Sequence, residues 1–248
     1  MRTCFVLVIF TAGLLRADST ILDTFHQPQT NCSYSLSSPY SNCDVIGDES
    51  KYDIEKITAE INGATTTVKL FFNYGGGSSL APFTDVGLTL GVGDLFFFNP
   101  AHPDDYLYGV PLHDRGAFAA GDVYKIGSGI TTLTADNIIH NTGYYYRRNE
   151  QVWLGGNGAP IQTGTVSVKN HGNGTDAANY EVDMTFSNPA GFLPNLGFNG
   201  NVGLAFASAN CGNDVIKGTV SAVPEPGSVL LLGSMFLLLL PAMKRLAS

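Results

Sequence analysis

Basic residues are scarce. Lysine and arginine number 13 in 248 residues, against 21 aspartates and glutamates, for a formal charge of −8. Affinity for nucleic acid comes from lysine and arginine on phosphates, so this balance argues against a nucleic-acid partner. An acidic chain suits solubility outside the cell and the company of divalent cations. Charged residues of either sign reach only 14%. Reactive signatures are missing as well: there is no Gly-x-Ser-x-Gly and no His-Glu-x-x-His. Gly75-Gly76-Gly77-Ser78-Ser79 lacks the Lys-Ser/Thr of a phosphate loop and reads as a flexible loop. Sustained helical periodicity, internal repeats and a domain-splitting linker are also absent. These gaps point away from a motif-bearing enzyme, although paired carboxylates hydrolyse glycosides without any local motif.

What is present is strand. Ile57, Ala59 and Ile61 alternate with Thr58 and Glu60; Asn62-Gly63, a preferred type I′ pair, follows; then Thr66, Val68, Leu70 and Phe72 alternate with Thr67, Lys69 and Phe71. Residues 52–74 therefore predict a β-hairpin with one buried face. Leu95-Phe96-Phe97-Phe98 predicts a strand buried on both faces. Further strands are expected at 86–90, 94–98, 106–112, 123–126, 130–133, 144–147, 151–154, 163–168, 180–186, 202–207 and 215–220. Residues 18–49 show no period and read as a loop region; 170–178 reads as a polar, glycine-rich loop. With 29 glycines and short strands at 8–12-residue spacing, the chain predicts one all-β domain, a β-sandwich or jelly roll over residues 18–222.

Both ends are greasy. Arg2 and the apolar residues 4–15 make the n- and h-regions of a signal peptide, residues 1–17, with cleavage after Ala17 or, because Leu15 is large for the −3 position, near Ala12. At the other end, Val223-Pro224-Glu225-Pro226-Gly227 is followed by an apolar run to residue 242 and then Lys244-Arg245. Residues 228–243 would make a helix of about 24 Å. That falls short of a bilayer core of ~30 Å and calls for thinning or for snorkelling by Lys244 and Arg245. The basic pair predicts a cytoplasmic C-terminus and an exported body.

In its order of motif, apolar run and basic end, carried by Val223, Pro224, Glu225, Pro226, Lys244 and Arg245, the segment 223–248 resembles the PEP-CTERM sorting signal of Gram-negative bacteria. The resemblance implies recognition by an exosortase-type membrane protease, cleavage near the motif, passage through an inner-membrane-anchored precursor, and release to the cell surface or an exopolysaccharide matrix. The body is similar, in short segments, to other exported proteins with this tail. Those segments are Tyr52-Asp53-Ile54-Glu55, Gly93-Asp94-Leu95, Leu112-His113-Asp114-Arg115, Tyr124-Lys125 and residues 211–218. They imply a shared β-rich scaffold and no particular activity.

Four constellations are candidates for chemistry or cross-linking. Cys32 and Cys43 could close a short disulfide loop and leave Cys211 unpaired; Cys211 could instead bond one of them, or all three could be free thiols. Asp44, Asp48 and Asp53 precede the first hairpin and Asp214 precedes the last strand. If the first and last strands are neighbours, these carboxylates could share a structural Ca²⁺, which takes six to eight oxygens. Tyr144, Tyr145, Arg147 and Trp153 form an aromatic–basic cluster suited to sugar rings and acidic groups; core tyrosines and solvated arginines are the alternative. His102, Asp104 and Asp105 lie a strand's length from His113 and Asp114, roughly 20 Å, so a joint metal or acid–base site would need the chain to fold back, and His102-Pro103-Asp104-Asp105 reads as ordinary turn chemistry. The reading is a non-enzymatic structural or glycan-binding module of the surface or matrix. The alternative is a secreted carbohydrate-active hydrolase with carboxylates on sheet-end loops.

Overall fold

The computed structural model describes residues 16–23, 45, 48–62, 65–85, 87–139, 147, 149–172, 178–187 and 201–221. Leader residues 1–15, the sorting motif, the tail with Lys244 and Arg245, Cys32, Cys43, Asp44, and Tyr144 and Tyr145 with most of the strand expected at 144–147 lie outside them. Among the described residues no helix is long and apolar enough to cross a membrane.

The chain is all-β and sandwich-like. Strands β1 (Arg16–Leu22), β2 (Ile54–Asn62), β3 (Thr65–Phe72), β12 (Tyr180–Ser187) and β11 (Gly164–Asn170) form the first antiparallel sheet, in that order. The second sheet runs β14 (Val215–Ser221), β13 (Asn201–Ala207), β6 (Leu95–Asn99), β7 (His102–Val110) and β8 (Tyr124–Lys125). Two hairpins stand apart: β4 (Phe83–Asp85) with β5 (Leu88–Leu90), and β9 (Ile130–Thr134) with β10 (Gln151–Gly156). The helices, α1 (Glu49–Tyr52) and α2 (Ala135–Ile138), are single turns.

Alternation drives the packing. Thr66, Val68, Leu70 and Phe72 of β3 are buried while Thr65, Thr67, Lys69 and Phe71 are half-buried on the other face. The inward residues meet Leu95, Phe97, Leu204 and Phe206 of the second sheet in the main core. Phe96 and Phe98 point the opposite way and are buried with Phe118, Tyr124, Ile130 and Leu154, because the β9–β10 hairpin lies over that face. The fold thus has a third, two-stranded layer, and β6 is covered on both sides. The layers approach closely at glycine: a Cβ on Gly109 would sit 2.7 Å from the Leu154 side chain. Within the second sheet, Gly203 leaves room for the ring of its cross-strand partner Phe98.

Both seams are closed. Along one, the Ser221 amide donates to Ser19 Oγ (3.0 Å) and Ile21 packs on Gly218. Along the other, Val123 N donates to Gln162 O and Ile161 N to Val123 O, both at 2.8 Å. The first and last strands are therefore neighbours, as the carboxylate reading required.

Four expectations need correction. Residues 18–22, read as loop, belong to a strand that begins at Arg16 and pairs with β2 over seven positions. β7 starts at His102, so His102-Pro103-Asp104-Asp105 is an exposed strand overhang rather than a turn. Residues 75–79 are a packed turn with a short 3₁₀ segment, Gly77–Ser79, where a Cβ on Gly75 would enter the Phe83 ring. Asn62 pairs with Thr65, so it closes the ladder instead of entering the turn. The strand expected at 86–90 is present as β5, the second half of the β4–β5 hairpin.

Candidate functional site

The register sorts the strand ends into two poles. One carries Ile54, Leu95, Val110, Ala207 and Val215; the other carries Arg16, Asn62, Asn99, His102, Asn201 and Ser221. Two buried aspartates organise the first pole. Asp214 Oδ2 accepts from Ile54 N at 2.6 Å and Oδ1 from Val215 N at 2.7 Å, which ties the start of β14 to the start of β2. Arg147 closes around it: Nη1 lies 4.0 Å from Asp214 and donates to the carbonyls of Gly212 (3.1 Å) and Asn213 (2.7 Å).

Asp94 is the second. It is fully buried and accepts two parallel bonds from Arg115, Nη1 to Oδ1 at 3.1 Å and Nη2 to Oδ2 at 2.6 Å. Oδ2 also accepts from Leu154 N at 2.7 Å. Burial pushes the carboxyl above its ordinary range; Arg115 and the Leu154 amide pull it back. The Arg115 guanidinium stacks 4.4 Å above Trp153, whose indole N–H donates to Val92 O at 2.8 Å. Two pairs of the short segments noted in the sequence meet here: Gly93-Asp94-Leu95 with the Arg115 segment, and Tyr52-Asp53-Ile54-Glu55 with the Asp214 segment. They are the parts of the two clasps.

The sequence-predicted sites now take their places. Asp214 does come to the chain beside Asp53, but its oxygens are held by amides and Arg147. Asp48 accepts from Ser50 N (3.0 Å) and Ser50 Oγ (2.7 Å) and lies 3.7 Å from Lys51. Among the described residues no three His, Cys, Asp or Glu side chains converge on a metal-sized site. Of the aromatic–basic cluster, Arg147 and Trp153 are engaged in the two clasps rather than presented as an open platform. His102 and His113 fall at opposite ends of β7, with His113 Nδ1 bonded to Asp114 O at 2.9 Å and Asp104 3.6 Å from Lys217.

One constellation escaped sequence reasoning. The outer face of the first sheet stacks its polar side chains in register. Lys56, Phe71, Glu181 and Lys169 form one row across β2, β3, β12 and β11; Thr58, Lys69, Asp183 and Ser167 form the next; Glu60, Thr67, Thr185 and Thr165 form the third. Lys169 Nζ bridges Glu181 Oε1 (2.8 Å) and Asp183 Oδ2 (2.7 Å), Lys69 lies 3.5 Å from Glu181 and 3.6 Å from Glu60, and His171 Nε2 reaches Glu181 at 3.1 Å. The alternation in each strand was legible, but the β3–β12 pairing joins residues more than a hundred positions apart.

Burial works against the Glu181 carboxylate, yet hydrogen bonds with Lys169 and His171 outweigh it and hold the group down to about 2. A group at that value is not a proton donor near neutrality, so Glu181 is not the raised acid of a glycoside-cleaving dyad. The depressed value also sets a pH dependence. Glu181 contributes stability above its ordinary 4.5, and that contribution is lost as pH falls from there toward about 2. Urea titrations should therefore show a wild-type decline across that window that Glu181→Gln flattens; parallel curves would contradict the pairing.

Cys211 is a free, buried thiol that donates to Asn213 Oδ1, and burial pushes it up to about 12. The folded chain should resist iodoacetamide at neutral pH and take the label at Cys211 only after denaturation, as read by peptide mass spectrometry. Rapid labelling of the native chain at this position would contradict its burial.

Comparison of the chain with protein-family models, with curated proteins and with solved structures finds no match.

Proposed function

We propose that this protein is an exported, non-catalytic β-sandwich, sorted through its tail by an exosortase-type protease and held at the cell surface or in an exopolysaccharide matrix as a structural or glycan-binding module. One observation carries most of the weight. β1 begins and β14 ends at the same pole, and the Ser221 amide is bonded to the Ser19 hydroxyl. The apolar leader and the apolar tail therefore join the body at one end, so both can engage a single membrane while the clasped pole faces away from it. The sorting motif begins at Val223, two residues after β14, so a cut there leaves every strand whole. Leader cleavage near Ala12 keeps all of β1, and cleavage after Ala17 keeps Ser19 and Ile21, the residues that close the seam.

Replacing Pro224, Glu225 and Pro226 together by alanine tests the sorting reading in the native host. The uncleaved chain is expected to accumulate in the membrane fraction. Unchanged release of a shortened body would end the proposal.

A further inference from the structure

We propose that the outer face of the first sheet is the binding surface, and that its ligand is an extended, uncharged polysaccharide lying across the strands. The inference rests on the glycan-binding reading and names its site and ligand class.

Among the described elements, this is the sheet face that no other layer covers. The second sheet has the main core on one side and the β9–β10 hairpin on the other. Its residues are also unlike ordinary solvated strand positions, because they are already locked. The side chains of Glu181, Asp183, Lys69 and Glu60 are 11%, 16%, 23% and 32% exposed and are bound in one ladder of ion pairs. Thr67 and Thr185 hydroxyls sit 3.3 Å apart. Fixed donors and acceptors cost little further ordering when a ligand arrives.

Charge selects the ligand. Lys56, Lys69 and Lys169 stand against Glu60, Glu181 and Asp183, so the face is neutral by count on a chain of −8. A polyanion would gain nothing from paired lysines and would meet the acidic remainder of the body. An uncharged polyol loses neither. Threonine and serine hydroxyls at positions 58, 67, 165, 167 and 185, beside charged acceptors, match sugar hydroxyls in donor and acceptor capacity. Phe71, half-buried with Lys56 Nζ 4.5 Å from its ring centroid, supplies an apolar patch for a sugar's C–H surface. Geometry sets the direction. Neighbouring strands are ~4.8 Å apart, close to the advance of one pyranose along an extended chain, so five strands offer a row of about four successive sugars. At the centre of the face, Asp183 Oδ1 is sheltered and without a hydrogen-bond partner, under the half-exposed Lys169 that bridges its other oxygen. A hydroxyl donor that displaced Lys169 would satisfy that oxygen.

The test is retention of the full chain, in detergent, on immobilised uncharged β-glucan and mannan and on a uronic-acid polymer. Retention on an uncharged polymer is expected, with the uronate polymer weaker. Ser167→Leu, which places bulk on the exposed edge strand without adding a charge that could compete for Asp183, and the double change Thr67→Ala/Thr185→Ala should each weaken binding by about tenfold at unchanged melting temperature. No retention on either uncharged polymer, equal or stronger retention on the uronate, or indifference to both variants overturns the inference. Because sorting is read separately by fractionation, a chain that is processed and released normally but fails on these polymers removes this surface assignment and leaves the sorting reading standing.

Discussion

Arg115→Ala should destabilise the protein by about 3–5 kcal/mol, the range found when one partner of a buried ion pair is removed. The loss comes from what stays behind. Asp94 is fully buried, and without the guanidinium it keeps only the Leu154 amide and the surrounding backbone. Trp153 also loses the cation stacked 4.4 Å above its ring. The pH dependence has the opposite sign to that of Glu181. Burial raises the Asp94 carboxyl, and removing Arg115 lets it rise further, so the folded variant binds a proton that the unfolded chain has released. Its stability should be lowest near neutrality and partly recover as pH falls toward the ordinary aspartate range. Replacing both partners, Asp94→Leu with Arg115→Met, should restore much of the loss, because no stranded charge remains. Urea denaturation followed by Trp153 fluorescence reads all three. A loss under about 1 kcal/mol for Arg115→Ala would mean that the pair behaves as a surface bridge.

Phe96→Ala should cost about as much as Phe97→Ala, roughly 3–5 kcal/mol each. In a two-layer sandwich, adjacent residues of a strand have unequal weight, since one faces water. Here both are fully buried: Phe97 against the first sheet, and Phe96 beneath the β9–β10 hairpin, where it also meets Tyr106 edge-on with ring centroids 5.5 Å apart. Equal losses in denaturant midpoint, with unchanged slope, would support three layers. A tolerated Phe96→Ala beside a severe Phe97→Ala would mean that the third layer does not seal that face.

Strands with one clean period were legible. β2, β3 and β12 alternate as they fold, and the unbroken apolar run at 95–98 correctly announced a strand covered twice. β1 was not, because in Asp18-Ser19-Thr20-Ile21-Leu22 only Ile21 is an apolar residue that packs inward, at the seam on Gly218. Its polar majority looks like loop. The clasps were half legible. The short segments carrying Asp94, Arg115, Ile54 and Asp214 stood out, but their meeting depends on sheet order, with Ile54 and Asp214 separated by 160 positions. The polar ladder on the outer face of the first sheet was hidden for the same reason. Lys69, Glu181 and Asp183 each look like solvated outward residues in their own strands, and only the β3–β12 register assembles them.

The account turns on whether both apolar ends are removed and the strand-built body between them is the lasting product. The direct measurement is mass spectrometry of the protein's termini in fractionated native host cells, with and without the exosortase. The account predicts a surface or matrix form that starts between residues 13 and 18 and ends near Val223, with the tail retained in the membrane when the protease is missing. A full-length, uncut chain recovered from the cytosol of the unmodified host would contradict it.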